Sequence, residues 1–282
     1  ANNSIIFTTG YLIQRGNRFA DGAQDVPITK IDRTKSFVLL TARSTDTGGG
    51  PDSLQVTGTL TNATNLRLEN YASGEGATAE WEVVTGPDIV VQRREEAYNS
   101  TDLIKNVTIN AVNLSNSFVI MSNRLNSGTS ANNAQGFWTG RLLNSTAIIL
   151  ERWQSGSSGN VSWQVVSWQG TTAQNGSGSS VGGTTITASI NSVNLTKSFL
   201  IFSNRLSGDT SIQDLFIQGR FTSSNQVGFA RYANGGNLYV EFFVVEFPRL
   251  RTQSDVYYYT ADAAPRNVTI SPLVNMSKSF NI

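Results

Sequence analysis

The sequence predicts an all-β protein: three tandem antiparallel β-sandwich repeats of about 81 residues, followed by a C-terminal half repeat. Three observations carry this. Lys35-Ser36-Phe37-Val38, Asn116-Ser117-Phe118-Val119, Lys197-Ser198-Phe199-Leu200 and Lys278-Ser279-Phe280-Asn281 place four phenylalanines at equal intervals of 81 residues, and a period that returns three times without slippage marks a tandem repeat. Short segments bounded by turn residues recur in the same order around each phenylalanine. No segment sustains a 3.6-residue period, and β-branched and aromatic residues dominate the ordered stretches.

The elements follow one another identically in each copy. First comes a strand marked by glutamine: Gln14, Gln92, Gln174 and Gln253. An alternating strand follows at Val26-Pro27-Ile28, Val107-Thr108-Ile109, Ala188-Ser189-Ile190 and Val268-Thr269-Ile270. Pro27 has no N–H for a ladder, so this strand belongs at a sheet edge. The Phe run is third and reads as the central strand of its unit; where it continues, it ends at Arg43, Arg124 or Arg205. A loop of Ser, Gly and Asn leads to a strand carrying Gly58, Gly140 or Gly219. The next strand ends beside Tyr71, Trp153 or Tyr232. The most apolar segment closes the unit: Trp81-Glu82-Val83-Val84, Trp163-Gln164-Val165-Val166 or Phe242-Phe243-Val244-Val245. Six short strands suit an antiparallel sandwich. Phe37, Phe118 and Phe199, with Trp81, Trp163 and Phe242, are expected in three separate cores, one per unit.

This order divides the chain into units 1–86, 87–168 and 169–247, with 248–282 as an incomplete fourth repeat. Half a sandwich exposes its core face and leaves edges unpaired. That segment is therefore expected to meet a neighbouring molecule or further chain, and is either an assembly junction built on Tyr257, Tyr259, Val268, Ile270 and Phe280 or a truncation point. Strand donation is one way to complete such a sheet.

Composition narrows the chemistry. The net charge is +1 and 15% of residues are charged, which leaves no basic face for nucleic acid. Cysteine and histidine are both absent, removing disulfides, thiolate nucleophiles, serine–histidine triads and the usual zinc sites. No apolar run is long enough to span a bilayer as a helix. Ala1 in first place fits a mature secreted chain. Glu69, Glu80, Glu82 and Glu151 are the carboxylates to weigh for glycosidase chemistry, but they do not recur as a matched pair in the third unit, and a solvated strand face explains them. Turn chemistry likewise accounts for Asp21, Asp25, Asp46 and Asp209 without calcium. The chain is read as non-enzymatic, with no cofactor and no metal.

Two sets of residues are candidate binding sites. Arg43, Arg124 and Arg205 form a ladder for anionic sugars or a neighbouring subunit, or else pack their stems on the sheet. Tyr71, Trp153 and Tyr232 stand beside Asn70, Arg152 and Arg231, an aromatic-plus-polar arrangement suited to sugar rings, or else cover the core. Eleven Asn-X-Ser/Thr triplets occur. Those at Asn62, Asn106, Asn113, Asn144, Asn194, Asn267 and Asn275 recur at equivalent places and are candidate N-glycosylation acceptors.

The Trp-X-Val-Val closing segment, the Phe strand and the glutamine-marked opening resemble tandem repeats of large secreted or surface proteins of bacteria and their phages. More distantly, the run through Gly58, Leu66 and Trp81 is similar to H-type lectin domains. That resemblance implies six-stranded sandwiches that trimerise and bind N-acetylgalactosamine-like sugars; none of that family's sugar-binding residues maps onto this chain. The expected protein is an extracellular structural rod, a subunit of a surface filament built from copies of itself. The alternative is a carbohydrate-binding adhesin or phage tail-fibre-like lectin.

Overall fold

The structure, a computed structural model, describes residues 4–6, 10–43, 54–71, 76–126, 133–208, 215–232, 234–253 and 279–281. It is all-β, and its strands pair into repeated sandwich-like units. After β1 (Ser4–Ile6), the first unit comprises β2 (Leu12–Ala20), β3 (Ala23–Pro27), β4 (Ser36–Arg43), β5 (Thr57–Asn62), β6 (Asn65–Glu69) and β7 (Ala77–Thr85). The second comprises β8 (Ile89–Tyr98), β9 (Ile104–Thr108), β10 (Ser117–Leu125), β11 (Trp138–Asn144), β12 (Ala147–Arg152) and β13 (Gly159–Trp168). The third comprises β14 (Thr172–Val181), β15 (Thr185–Ser189), β16 (Ser198–Leu206), β17 (Ile217–Ser223), β18 (Gln226–Arg231) and β19 (Asn237–Glu246), after which come β20 (Thr252–Gln253) and β21 (Ser279–Asn281). Each unit holds two antiparallel three-stranded sheets, ordered β2-β7-β4 and β3-β6-β5 in the first and equivalently in the others. β3 is an edge strand, as Pro27 requires.

Local polar chemistry repeats with the strands. A 3-10 turn precedes the Phe strand in each of the three units and is capped by Asp32, Asn113 or Asn194, whose side chain accepts from the N–H of Thr34, Ser115 or Thr196 at 2.9, 3.0 and 3.0 Å. Asn62 and Asn144 make the same local bond in the hairpin turns, to the N–H of Thr64 and Thr146, both at 2.8 Å. The first three repeated glutamines each bind the backbone of one loop residue twice. Gln14 holds Thr29 (2.9 and 2.6 Å), Gln92 holds Asn110 (2.9 and 2.6 Å) and Gln174 holds Asn191 (3.1 and 2.8 Å).

The Phe strand is not the central strand of its sheet. That place belongs to β7, β13 and β19, which carry the Trp81, Trp163 and Phe242 segments. The Phe run is apolar for a different reason: both of its faces are buried. Val38 and Leu200 face the sandwich cores of their own units, while Phe37, Phe118 and Phe199 with Ile120 and Ile201 face a shared core.

The expectation of three separate cores therefore fails. Phe37, Phe118, Phe199 and Phe280 meet in a closed square, with successive ring centroids 6.3, 6.0, 6.2 and 6.2 Å apart and interplanar angles of 84–89°. Such edge-to-face contacts each add about 0.5–1.5 kcal/mol beyond area burial. The units are consequently arranged around an axis rather than strung along a rod. One end of this axis is plugged by Trp168, Phe247 and Tyr11; Trp168 lies 5.1 Å from Phe247 and 5.7 Å from Tyr11, whose hydroxyl accepts from the Trp168 indole N–H at 3.0 Å. Trp163 joins the shared core, whereas Trp81 and Phe242 lie in the cores of the first and third units.

Two short described strands after residue 247, β20 and β21, find their partner within the chain. β1 pairs antiparallel with both β20 and β21, in the order β20-β1-β21. Ile5 stands opposite Thr252 and Phe280, just as Val84 stands opposite Ile13 and Phe37. The N-terminal strand thus takes the central position of the fourth inner sheet and closes the ring. Phe280 is fully buried in the square rather than presented to another molecule. Tyr257, Tyr259, Val268 and Ile270 lie outside the described residues.

Candidate functional site

The boundaries between units are built from repeated contacts. Gly58 N–H donates to Ser122 Oγ and Gly140 N–H to Ser203 Oγ, both at 3.2 Å. Gln164, on β13, grips the backbone of Val38 in the preceding unit through both amide atoms at 2.9 Å. Arg93 donates to the carbonyls of Arg33 and Ser36, and Arg15 donates to the carbonyl of Ser279, so one contact serves two boundaries. Burial, with Arg33 nearby, lowers the Arg93 pKa to about 10, still far above neutrality.

The arginine ladder divides by location. Arg124 reaches Glu69 of the first unit at 2.8 Å and Glu95 at 3.6 Å. Arg205 reaches Glu151 of the second unit at 3.1 Å, donates also to Thr139, and lies 5.2 Å from the Tyr239 ring centroid. Both are inter-unit clamps. Arg43, at the equivalent place in the first unit, is exposed and has Glu80 at 3.7 Å. Beside the second clamp, Arg141 sits 3.5 Å from Glu241, whose carboxyl burial pushes above its usual range despite Arg141 and Arg205.

Among the described residues, the candidate aromatic platform gains a stacking partner at one place only, across the boundary between the second and third units. Trp153, half-exposed, stacks on Tyr239 at 4.9 Å with 16° between planes. Tyr232 is exposed at 86%, and Tyr71 is half-buried. Two of their three neighbours, Arg152 and Arg231, are engaged by backbone carbonyls. Arg152 is buried, donates to the carbonyls of Asp102, Asn99, Gln135 and Ser157, and lies against Tyr98 and Trp138. Arg231 likewise clamps the carbonyls of Gly183, Gly235 and Gly236. Burial pushes the Tyr98 phenol up to about 12, so it stays neutral. Asn62, Asn106, Asn113, Asn144 and Asn194 are exposed, while Asn267 and Asn275 lie outside the described residues. Asp32 caps the first unit where Asn113 and Asn194 cap the next two; what recurs at this position is an acceptor oxygen, a role that needs no glycan.

At the end of the axis opposite the aromatic plug lies a cavity of about 740 Å³. Equivalent residues of three units line it: Leu39 and Leu40, Ile120 and Met121, Ile201 and Phe202. Arg15, Asn17, Glu80, Glu82, Gln164 and Trp81 add polar groups to the wall. Arg15 and Glu82 pair at 3.6 Å. The indole N–H of buried Trp81 has no hydrogen-bond partner among the described residues, whereas that of Trp163 donates to Glu96 at 3.3 Å. Among the described residues no three His, Cys, Asp or Glu side chains converge as a metal site.

The outermost strand of the third unit is unlike its counterparts. β5 and β11 are largely buried, but β17 is half-buried to exposed throughout, and Phe216 just before it is 52% exposed. Sequence reasoning missed Arg15, Arg93, Gln164 and Tyr239 as contact residues. The signal that was present is the recurrence of Gly58, Gly140 and Gly219 alongside Thr41, Ser122 and Ser203, because a glycine N–H facing a small hydroxyl is what a close strand approach requires.

No protein-family model matches the sequence, and no curated protein matches it either.

Proposed function

We propose that this chain is an extracellular structural protein, a repeat subunit of a surface filament or fibre assembled with copies of itself through β-sandwich contacts. One observation carries the reading: the β17 face, whose equivalents on β5 and β11 are covered by the next unit, has no such cover among the described residues. An open strand edge with a half-exposed apolar residue beside it is a site for association. On this reading β17 takes part in the junction; Tyr257, Tyr259, Val268 and Ile270 of the expected junction segment lie outside the described residues. Arg43, exposed where Arg124 and Arg205 are engaged across boundaries, gives the first unit a matching charged position.

Electron microscopy of purified protein tests this. Filaments are expected from the wild type, and dispersed particles with unchanged circular dichroism from a Phe216→Asp variant, since Phe216 is exposed and outside the third-unit core. Dispersed wild-type particles under all assembly conditions tried would defeat the reading.

The second reading is a carbohydrate-binding adhesin or phage tail-fibre-like lectin, favoured by the exposed Trp153–Tyr239 stack beside Arg205. A glycan array decides it: binding that disappears in Trp153→Ala supports the lectin, and an array without signal removes it.

A further inference from the structure

The boundaries between the first and second units and between the second and third are sealed differently at their outer rims. At the first, Arg93 reaches back to the carbonyls of Arg33 and Ser36, while Glu95 stands 3.6 Å from Arg124 and accepts from the Asn160 amide at 2.6 Å. Asn160 in turn accepts from Asn126 at 3.1 Å. Long polar side chains joined to one another thus fill this rim.

At the second boundary those side chains are replaced. Glu95 faces Ser162 across its sheet and Ala97 faces Asn160; the corresponding pairs in the third unit are Ser177 with Glu241 and Ser179 with Tyr239. Residues directly opposite on neighbouring strands share a face, so Ser177 and Ser179 stand on the same side of their sheet as Tyr239. Both serines are exposed, and side chains this short leave the rim open where Arg93 and Glu95 fill it. Above them Trp153 stacks on Tyr239 from the preceding unit and remains 44% exposed. Arg152 holds the backbone beside it through the carbonyls of Asn99, Asp102, Gln135 and Ser157. The nearby charges cancel: Glu151 engages Arg205 at 3.1 Å and Glu241 engages Arg141 at 3.5 Å.

We propose that this rim binds an uncharged saccharide, with the apolar face of one sugar ring on the exposed indole of Trp153 and hydroxyls of the same or the adjoining ring hydrogen-bonded to Ser177 and Ser179. An indole offers a large flat apolar surface at low entropic cost, which is the complement of the C–H face of a pyranose. A serine hydroxyl donates and accepts, so it meets a sugar hydroxyl in either sense. A carboxylated or sulfated sugar would have to take Arg205 or Arg141 from a carboxylate already within 3.5 Å, and separating a partly buried pair leaves a charge uncompensated. The arginine ladder is therefore not an anion site at this boundary. The inference rests on the carbohydrate-binding reading above and adds to it the class of ligand and a second wall of the site.

The test is an array that presents terminal hexoses and N-acetylhexosamines beside sialylated, uronic-acid and sulfated glycans, read with the full chain and its variants. Binding to the uncharged glycans is expected, with the acidic ones bound more weakly or not at all. Trp153→Ala should abolish it and Trp153→Phe should retain it. Ser177→Ala and Ser179→Ala should each weaken it about fivefold, in line with the loss of one net hydrogen bond. Both serines are exposed, so these two variants keep the fold even if Trp153→Ala does not. Tyr71→Ala, at the equivalent place on the filled boundary, should change nothing. Acidic glycans bound as tightly as uncharged ones, with Trp153→Ala abolishing both, would sink this inference and spare the lectin reading. Uncharged glycans bound without regard to either serine would do the same. An array without signal overturns both.

Discussion

β11 and β17 occupy the same place in successive units, pair in the same way with the strand that follows, and even shift register at the same point. Yet β11 is largely buried and β17 is not. The difference is in the neighbour: Ser203 and Arg205 of the next unit lie against Gly140 and Thr139, and nothing among the described residues does the same for Gly219. Burial in a repeat of this kind is thus decided between units as much as within them, as nearest-neighbour coupling in repeat arrays implies.

The largest test of that coupling is the phenylalanine square. Phe118→Ala removes a ring that touches both Phe37 and Phe199 and should cost about 3–5 kcal/mol. Because the ring belongs to a core shared by all units, chemical denaturation followed by separate probes in the first and third units should show both transitions shifting together. Loss confined to the second unit would mean that the units are energetically independent.

A smaller effect is expected at Gln164. Truncation to alanine leaves the buried N–H and carbonyl of Val38 without their side-chain partner, for about 1–3 kcal/mol. Substitution of Glu82, the equivalent residue in the first unit, leaves this contact intact, so only the Gln164 variant should accelerate amide exchange at Val38. Equal acceleration in both variants would argue against the contact as drawn.

Arg205→Ala and Arg43→Ala compare an engaged clamp with an exposed one. The first removes an ion pair at a boundary and a ring contact, worth about 1 kcal/mol in a partly screened setting. The second should fall within about 0.5 kcal/mol of the wild type. Thermal unfolding of the two proteins gives the ranking, and an equal loss from both would dissolve the distinction between covered and uncovered boundaries.

The smallest effect concerns the caps. The bonds from the side chain and backbone of Thr34 hold the Asp32 carboxyl below its usual range. A folded-state value lower than the unfolded one means stability that is present above the unfolded value and lost as pH falls through the folded one. Asn113 and Asn194, in the same place, do not titrate. Asp32→Asn should therefore flatten the acid limb of stability slightly, visible as a smaller drop in Tm between pH 5 and pH 3. An unchanged slope would mean that the carboxylate contributes nothing through its cap.

How much of this was legible in the sequence depends on the range of the interaction. The 81-residue period, the all-β class, the six strands per unit and the edge position of Pro27 were all readable, because turn residues and two-residue alternation act locally. Asp32, Asn113 and Asn194 announce caps for the same reason. The Phe strand was misplaced because apolarity on both faces reads alike for a central strand and for an edge strand packed between two cores. Arg152 and Arg231 looked like surface forks because part of the carbonyl set each holds comes from a loop distant in sequence, 53 residues away at Asn99 for Arg152 and 48 at Gly183 for Arg231.

The sequence by itself determined the repeat, its strands and its turns, since each follows from steric and hydrogen-bonding preferences expressed within a few residues. Only the tertiary structure decided that Phe37, Phe118, Phe199 and Phe280 share one core and that Ser4–Ile6 closes the fourth sheet. Both depend on contacts between segments as much as 277 positions apart in numbering, as between Ser4 and Asn281. A hydrophobic pattern states that a face must be covered; it does not name what covers it, and that choice is made by the geometry of the whole ring.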